Sequence, residues 1–500
     1  MDIFHNLIAG FGVAFQLDNL LWAVFGVVVG NLVGVLPGMG VMASLSILLP
    51  LTYSMTPTAA LIMLAGIFYG SQYGGGITSV MLNLPGTAAH AVTCLEGHPM
   101  AKKGRAGAAL FMLLLGSFFG ATCGILLMVF LSPILSSIAF KFGPAEYFSM
   151  MLLGLIAGST LANGSALKSI AMVLLGVVLG LIGIDVNTGT MRFTFGFIEL
   201  ANGLSIVILA MSFFGLADFL KNINNSDLAS PITKIKVDSK SIRPKKGDIK
   251  KVRGALFRGT SIGSLLGVLP GTGSVIASFI AYATEKRISK NSHEFGKGAV
   301  EGLASPEAAT SSAAQTSFIP TLTLGIPGDP VMAIMLGALI IHGIQPGPAL
   351  ITEHADIFWG LIASFWIGNL LLLVINYPLI GFWVKLISLP FKYLYPTALF
   401  FICVGVYSTN SSFFDVGLVI FIGFVGYLLL VLDFEAAPLL LGFILGPMME
   451  EYFRRSLIIS DGDLSFFIEK PISLAFLVLS LLILLYSIYT SVSKTKIAQT

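Results

Sequence analysis

Uninterrupted apolar runs constrain this chain more than any other feature. The stretch "ALFMLLLGSFFGATCGILLMVFL" (Ala109–Leu131) carries no charge, and "DVGLVIFIGFVGYLLLVL" (Asp415–Leu432) and "ISLAFLVLSLLILLYSIY" (Ile472–Tyr489) are nearly as apolar. About 20 such residues in a helix cross the hydrocarbon core of a bilayer. Further stretches such as "SIVILAMSFFGLADFL" (Ser205–Leu220) bring the count to roughly ten to twelve segments, some too short to span alone. Composition agrees, with 56% hydrophobic and 11% charged residues; a water-facing surface normally needs about 25% charged residues. The expected fold is an all-α polytopic membrane protein embedded in a lipid bilayer. A β-barrel would instead show ten-residue segments of alternating polarity.

Smaller features exclude other classes. The opening "MDIFHNLIAGFG" has no basic n-region or small-residue cleavage site, so it does not read as a removable signal peptide. Cys94, Cys123 and Cys403 are scattered without metal spacing and read as packed free thiols. A net charge of +3 gives no case for nucleic acid. Its distribution is more informative. The one long hydrophilic break, Lys221–Arg258, holds eleven Lys/Arg against three Asp, which places it in the cytoplasm by the positive-inside rule.

That break separates two halves that share motifs in the same order. "GVLPGMG" (Gly34–Gly40) recurs as "GVLPGTG" (Gly267–Gly273), and "SVMLNLPGTAAHAV" (Ser79–Val92) as "PTLTLGIPGDPVMAI" (Pro320–Ile334). His-Gly elements follow in both, "EGHPM" (Glu96–Met100) and "IHGIQPGPAL" (Ile341–Leu350), before a long apolar helix. The motif spacing is about nine residues longer in the second copy, for which the hydrophilic "TEKRISKNSHEFGK" (Thr284–Lys297) is the natural insertion. Charge swaps ends between the copies. "QLDN" (Gln16–Asn19) before the first copy lacks basic residues, whereas the second copy follows the basic break. The segment after the second motif is basic in the first copy, "AKKGRAG" (Ala101–Gly107), and acidic in the second, "TEHAD" (Thr352–Asp356). Such a swap is what two inverted repeats crossing the membrane in opposite senses produce. The expected organisation is repeat one with following helices over 1–220, a basic cytoplasmic linker over 221–258, repeat two over 259–390, and C-terminal transmembrane helices over 391–500.

Pro-Gly punctuation within a membrane segment implies broken or re-entrant helices. Each freed backbone amide or carbonyl costs several kcal/mol in hydrocarbon unless protein, water or ligand satisfies it. Half-helix N-termini attract anions and unwound carbonyls attract cations, so matched breaks in two halves mark a transporter's substrate site. The candidate substrate and ion residues in the first copy are Gly38, Gly40, Ser71, Tyr73, Thr78, Asn83, Pro85, Gly86 and Thr87. In the second they are Gly271, Thr272, Gly273, Thr310, Ser312, Thr316, Thr323, Pro327, Gly328 and Asp329. Small hydroxyl residues also serve close helix packing, so for any single Ser or Thr here packing is the competing role. Among the carboxylates in apolar surroundings, Glu146, Asp185, Glu307, Asp329, Asp415, Asp433 and Glu435, those at 307 and 329 flank the second break. His90, His98 and His342 lie near motif ends but lack metal-ligand spacing. "GMGVMA" (Gly38–Ala43) matches a dinucleotide fingerprint, yet a spanning-length apolar stretch precedes it where that fold needs a short strand. No phosphate-binding G-x-x-x-x-G-K-[ST] loop occurs at either break, so ATP-driven transport within this chain has no support.

"GVLPGMG", the block from "AGIFYGSQYGGG" through "EGHPMAKKGRAGAAL", "TLGIPGDPVMAIMLGALIIHGIQPGP" and "LGFILGPMMEEYFRRSL" together resemble the large membrane subunit of the tripartite tricarboxylate transporters, from about residue 20 to 475. The resemblance implies a multi-pass secondary transporter of the bacterial cytoplasmic membrane. An extracytoplasmic solute-binding protein would deliver a carboxylate such as citrate, a small integral-membrane subunit would complete the complex, and a Na⁺ or H⁺ gradient would drive uptake with no other cofactor. Gly34–Gly40 with Tyr69–Thr87, and Gly267–Gly273 with Ser305–Asp329, would form the central site. Asp329 departs from the small neutral residue expected after "IPG", and an acid beside an anion site repels a carboxylate unless protonated or cation-bound. A carboxylate channel and a non-transporting scaffold subunit are the alternative functions. An enzyme is disfavoured because no nucleophile–base or metal constellation lies near the breaks.

Overall fold

The computed structural model describes residues 3–36, 41–160, 166–185, 188–222, 244, 247–269, 273–386, 399–400, 402–407 and 410–497. It is 83% helical, and among these residues the strand structure is one short antiparallel pair, β1 (Gly183–Ile184) with β2 (Met191–Arg192). In the first half lie α1 (Ile3–Ala14), α2 (Leu17–Val35), α3 (Val41–Leu48), α4 (Pro57–Leu82), α5 (Ala91–Met100), α6 (Ala106–Ala139), α7 (Pro144–Thr160) and α8 (Ala166–Gly180). After the strand pair come α9 (Ile206–Ala210) and α10 (Ala217–Asn222). The second half has α11 (Asp248–Val268), α12 (Gly273–Ile288), α13 (Val300–Thr316), α14 (Phe318–Leu324), α15 (Pro330–Ile341), α16 (Ala349–Glu353) and α17 (Ala355–Leu386). The chain ends with α18 (Phe413–Val431), α19 (Ala436–Ile459), α20 (Phe466–Glu469) and α21 (Pro471–Ile497).

This is an all-α membrane protein. Among the described residues, Leu17–Val35, the run Ala88–Ala139, Ala355–Leu379 and Phe413–Val431 are long and apolar enough to cross a bilayer, and six shorter apolar helices accompany them. By length and composition, four helices among the described residues are able to cross, against the ten to twelve segments the sequence suggests. Large apolar side chains cover the exterior, with Phe421, Phe424 and Leu428 of α18 exposed on its outer side. A water-soluble monomer does not tolerate apolar surface on that scale.

At the centre, α4 and α13 are buried along nearly their whole lengths. Glycine is what lets their neighbours come close. Gly26, Gly30 and Gly34 of α2 lie on the backbone of α4 at Met63, Ile67 and Ser71. Gly259, Gly263 and Gly267 of α11 lie in the same way on Ser305, Ala309 and Ala313 of α13. A side chain at any of these rungs would meet backbone atoms of the partner, and small residues at four-residue spacing are the usual means of tight helix contact in lipid. A third ladder, Gly116, Gly120 and Gly124 of α6, packs on α13 near Ala304, Ala308 and Ser312.

The helix heads also correspond. At the head of α6, Arg105 binds Asp248 at the head of α11 at 2.6 Å, and Lys103 donates to the Lys297 carbonyl. Val13, just before α2, packs on Gly360 near the head of α17. Most of the basic linker lies outside the described residues. Residues 248–258, the last part of the expected linker, form the first turns of α11, where Val252, Ala255 and Leu256 give that basic stretch a buried helical face.

Candidate functional site

The two Pro-Gly breaks have the same local construction. α4 ends in Asn83, whose backbone is left-handed (φ 60°, ψ 27°) and whose N–H donates to Ser79. α14 ends in Gly325, also left-handed (φ 72°, ψ 19°), whose N–H donates to the Thr321 carbonyl. Left-handed caps of this kind satisfy carbonyls that a terminating helix leaves open. One turn back, the Ser79 hydroxyl donates to the Gly75 carbonyl and the Thr321 hydroxyl to the Ser317 carbonyl. Pro85-Gly86 and Pro327-Gly328 then fold the chain onto those same positions: Gly86 abuts Gly75, and Gly328 abuts Ser317.

Each second break also touches the first break of its own half. The Thr78 hydroxyl reaches the carbonyls of Gly34 and Val35, at 3.2 and 2.9 Å, where α2 stops. Gly86 lies against the Gly34 carbonyl. In the second half Gly273, left-handed at φ 58°, faces the side chain of Asp329. Gly38, Gly40, Gly271 and Thr272 lie outside the described residues.

The remaining candidates divide by what their side chains do. Ser71, Thr316 and Thr323 donate to carbonyls of their own helices, the packing role weighed for them at the outset. Ser312 joins α13 to α11 through Ser264 at 2.6 Å, and Thr310 is buried. Tyr73 is fully buried with no hydrogen-bond partner for its hydroxyl among the described residues. Asp329 caps α15, accepting from the amides of Val331 and Met332 at 2.9 and 3.1 Å. Its carboxylate therefore occupies the helix N-terminus that an incoming anion would otherwise use.

A contact that the sequence did not single out crosses between the halves. Thr87, at the position equivalent to Asp329, does not cap a helix in this way. Its Oγ1 lies 2.7 Å from His90 Nδ1 and 3.3 Å from Gln72 Oε1. Gln72 Nε2 in turn reaches Ser274 Oγ of α12 at 3.5 Å. On its other side, His90 Nε2 lies 3.4 Å from Glu307 Oε2 of α13, with both side chains about 1% exposed. His90 Nε2 and both Glu307 oxygens have no aligned hydrogen-bond partner among the described residues. The chain Ser274–Gln72–Thr87–His90–Glu307 thus starts and ends in the second half and passes through the first half's break. The proximity of His90 to a motif end was visible in the sequence; its carboxylate partner was not.

Other carboxylates have structural duties. Glu96 accepts from Tyr282 Oη and from the amides of Gly296, Gly298 and Ala299, holding the end of the hydrophilic segment before α13. Asp185 and Glu450 share Arg192 and Arg454, tying the strand pair to α19. Glu146 accepts from the Gly143 amide at the start of α7. Asp415, near the start of α18, accepts from Asn410. Among the described residues no group of three or more His, Cys, Asp or Glu is placed to hold a metal ion.

Two cavities bear on binding. The larger, about 840 Å³, avoids both breaks and is lined by Glu199, Asp415 and Glu451. Its Arg455 is already paired with Glu451. That charge balance repels an anion. The smaller, about 10 Å³, lies where α4, α6, α13 and α17 meet, between Tyr69, Gln72, Ser117, Ser311, Gln315 and Asn369. Tyr69 Oη and Gln315 Oε1 are without partners there among the described residues.

An apolar helical bundle with matched helix breaks at its centre is the architecture of a membrane transport protein. The chain belongs to the tripartite tricarboxylate transporter TctA family, whose model matches residues 20–441; this is the large subunit of those transporters. It is similar to an uncharacterized 52.8 kDa protein in the TAR-I ttuC' 3' region of Agrobacterium vitis, at 47% identity over 493 residues, covering 98% of this chain and 97% of the relative. An uncharacterized protein in the TAR-II ttuC' 3' region of the same organism is 54% identical over 230 residues, 46% of this chain and 95% of that one. No solved structure matches.

Proposed function

We propose that this chain is the transport subunit of a cation-coupled importer of an organic di- or tricarboxylate in the bacterial inner membrane. An extracytoplasmic binding protein delivers the substrate and a small membrane subunit completes the assembly. The observation that carries the reading is the pair of left-handed helix breaks, Asn83–Thr87 and Gly325–Asp329, each folded against the first break of its own half. Two facts favour inverted repeats. Arg105 joins the head of α6 to the head of α11, and Val13 before α2 packs near the head of α17, so each half begins beside the other's long apolar helix. The basic segments around Lys103, Arg105, Asp248 and Lys297 also converge at one end, as a cytoplasmic face requires.

In this reading the substrate carboxylates sit between the breaks, where amides freed at the Asn83–Thr87 turn replace water, the α15 N-terminus being already filled by Asp329. Access alternates as the halves move relative to one another. The test is citrate uptake into proteoliposomes holding the chain, its small subunit and the binding protein. Saturable uptake that collapses when both the Na⁺ and H⁺ gradients are dissipated is the expected result. Gradient-independent flux far above transporter rates would favour a channel, and no flux from the complete assembly would favour a scaffold.

A further inference from the structure

The hydrogens along the chain from Gln72 to Glu307 have two consistent arrangements, and the coupling they support rests on the transport function proposed above. The Thr87 hydroxyl has one hydrogen and two neighbours that accept it, His90 Nδ1 and Gln72 Oε1. When the hydrogen points to Gln72, His90 Nδ1 must supply the hydrogen for the 2.7 Å contact with Thr87. His90 Nε2 is then bare 3.4 Å from the Glu307 carboxyl, an approach not aligned as a hydrogen bond that a shared proton would relieve. Without it, two lone pairs would oppose each other in a dry interior. When the hydrogen points to His90 instead, Nδ1 is bare, Nε2 carries the ring hydrogen, and Glu307 is an ionised acceptor. The two arrangements keep the same heavy-atom positions and differ by one proton.

We propose that His90 and Glu307 together bind the one proton that this transporter couples to its substrate, and that loading swings the Thr87 hydroxyl from His90 to Gln72. The loaded pair is neutral overall, whereas the empty pair leaves one uncompensated buried negative charge, which is costly. An anion at the neighbouring Pro85-Gly86 break favours loading through the same electrostatics, and loading favours the anion in return. That sign is symport. The swing also reaches the second half, because Gln72 bonds Ser274 of α12.

On α13 itself the other carboxylate is Glu301, buried, which accepts from Asn291 Nδ2 at 2.8 Å through one oxygen. α6 and α14 carry no charged residue. From α4 the titratable neighbours are Tyr69 and Tyr73. α5 offers Glu96, held by Tyr282 and three amides, and His98, held at the Val80 carbonyl. α12 offers Glu285, paired with Arg258 of α11, and beyond it Lys286 and Arg287 in its last turn. On α11, Asp248 is paired with Arg105, while Lys250, Lys251 and Arg253 belong to its opening turns.

Two measurements test the proposal. In ¹⁵N-histidine NMR of the full chain in nanodiscs, the His90 signal is identified by its loss in His90→Gln and followed from about pH 5 to about pH 9. Nδ1 should carry hydrogen at the acid end and lose it at the alkaline end, and Glu307→Gln should abolish the change. An Nδ1 bare throughout overturns the site. The second measurement uses proteoliposomes of the complete assembly loaded with a pH-sensitive dye. Wild-type vesicles should acidify inside as citrate enters, and Glu307→Gln should lower proton-driven uptake relative to citrate–citrate exchange at least about tenfold. Citrate entry without acidification overturns the coupling, with no variant needed. If citrate entry ignores every gradient while Nδ1 still titrates, the cation-coupled reading falls and the proton site stands.

Discussion

Asn83 and Gly325 turn the chain through nearly the same angles, yet the two breaks meet different surroundings. Around the first, Asn83, Pro85 and Ala88 are exposed, and Gly86 and Thr87 are partly so. Around the second, Gly325 through Asp329 are all buried. The polar ends differ as well. Thr87 passes its hydrogen bonds on to His90 and Gln72, whereas Asp329 closes its own helix. One backbone device is thus shown in an open and in a closed setting. Local sequence sets the turn itself; what packs over it sets access. The alternating access proposed for this chain needs that separation, since the two halves would exchange access without rebuilding their turns.

The contrast is most sharply broken by labelling. With Cys94, Cys123 and Cys403 replaced by Ser, Asn83→Cys should react with a water-soluble maleimide roughly 100-fold faster than Thr323→Cys, the ratio expected when the second site opens only about 1% of the time. Comparable rates would mean that the two breaks do not differ in access. The next largest effect lies in the caps. Gly325→Ala forces a side chain into the left-handed region, at about 1–2 kcal/mol, and sets its Cβ 3.3 Å from the Pro346 carbonyl. Asn83→Ala should cost less, because Asn83 already carries a Cβ in that conformation and lies exposed. Thermal unfolding in detergent ranks the two, and a larger loss at Asn83 would contradict the comparison.

Asp329→Ala should destabilise by about 1 kcal/mol through loss of its cap, with Asp329→Asn retaining most of that stability. Thr87→Ala removes no helix cap and should leave unfolding nearly unchanged while disturbing uptake. Equal losses at 87 and 329 would erase the distinction between them. The smallest effect belongs to Ser71→Ala. Its hydroxyl only bonds its own turn, so stability should stay within about 0.5 kcal/mol, and uptake should be unaffected. A marked uptake defect would make Ser71 a ligand residue after all.

Much of this was legible in the residues. The repeated Pro-Gly motifs fixed where helices stop, because proline and a left-handed glycine or asparagine act on the backbone beside them. The glycine ladders became visible only with the packing, although Gly26, Gly30 and Gly34 and their counterparts Gly259, Gly263 and Gly267 run straight into the two "GVLPG" motifs. Hydroxyl residues were less legible. Ser71 and Ser312 look alike in sequence, but one bonds its own helix and the other joins two. The acid at 329 looked anomalous beside an anion site until its cap became visible.

By itself the sequence determined the solvent this chain lives in, its helical character and the positions of its breaks. Each of these follows from apolar transfer and backbone hydrogen bonding over a few adjacent residues. Only the tertiary structure decided which break is exposed and that His90 faces Glu307. Those depend on groups far apart in the chain, brought together by packing that no local pattern encodes.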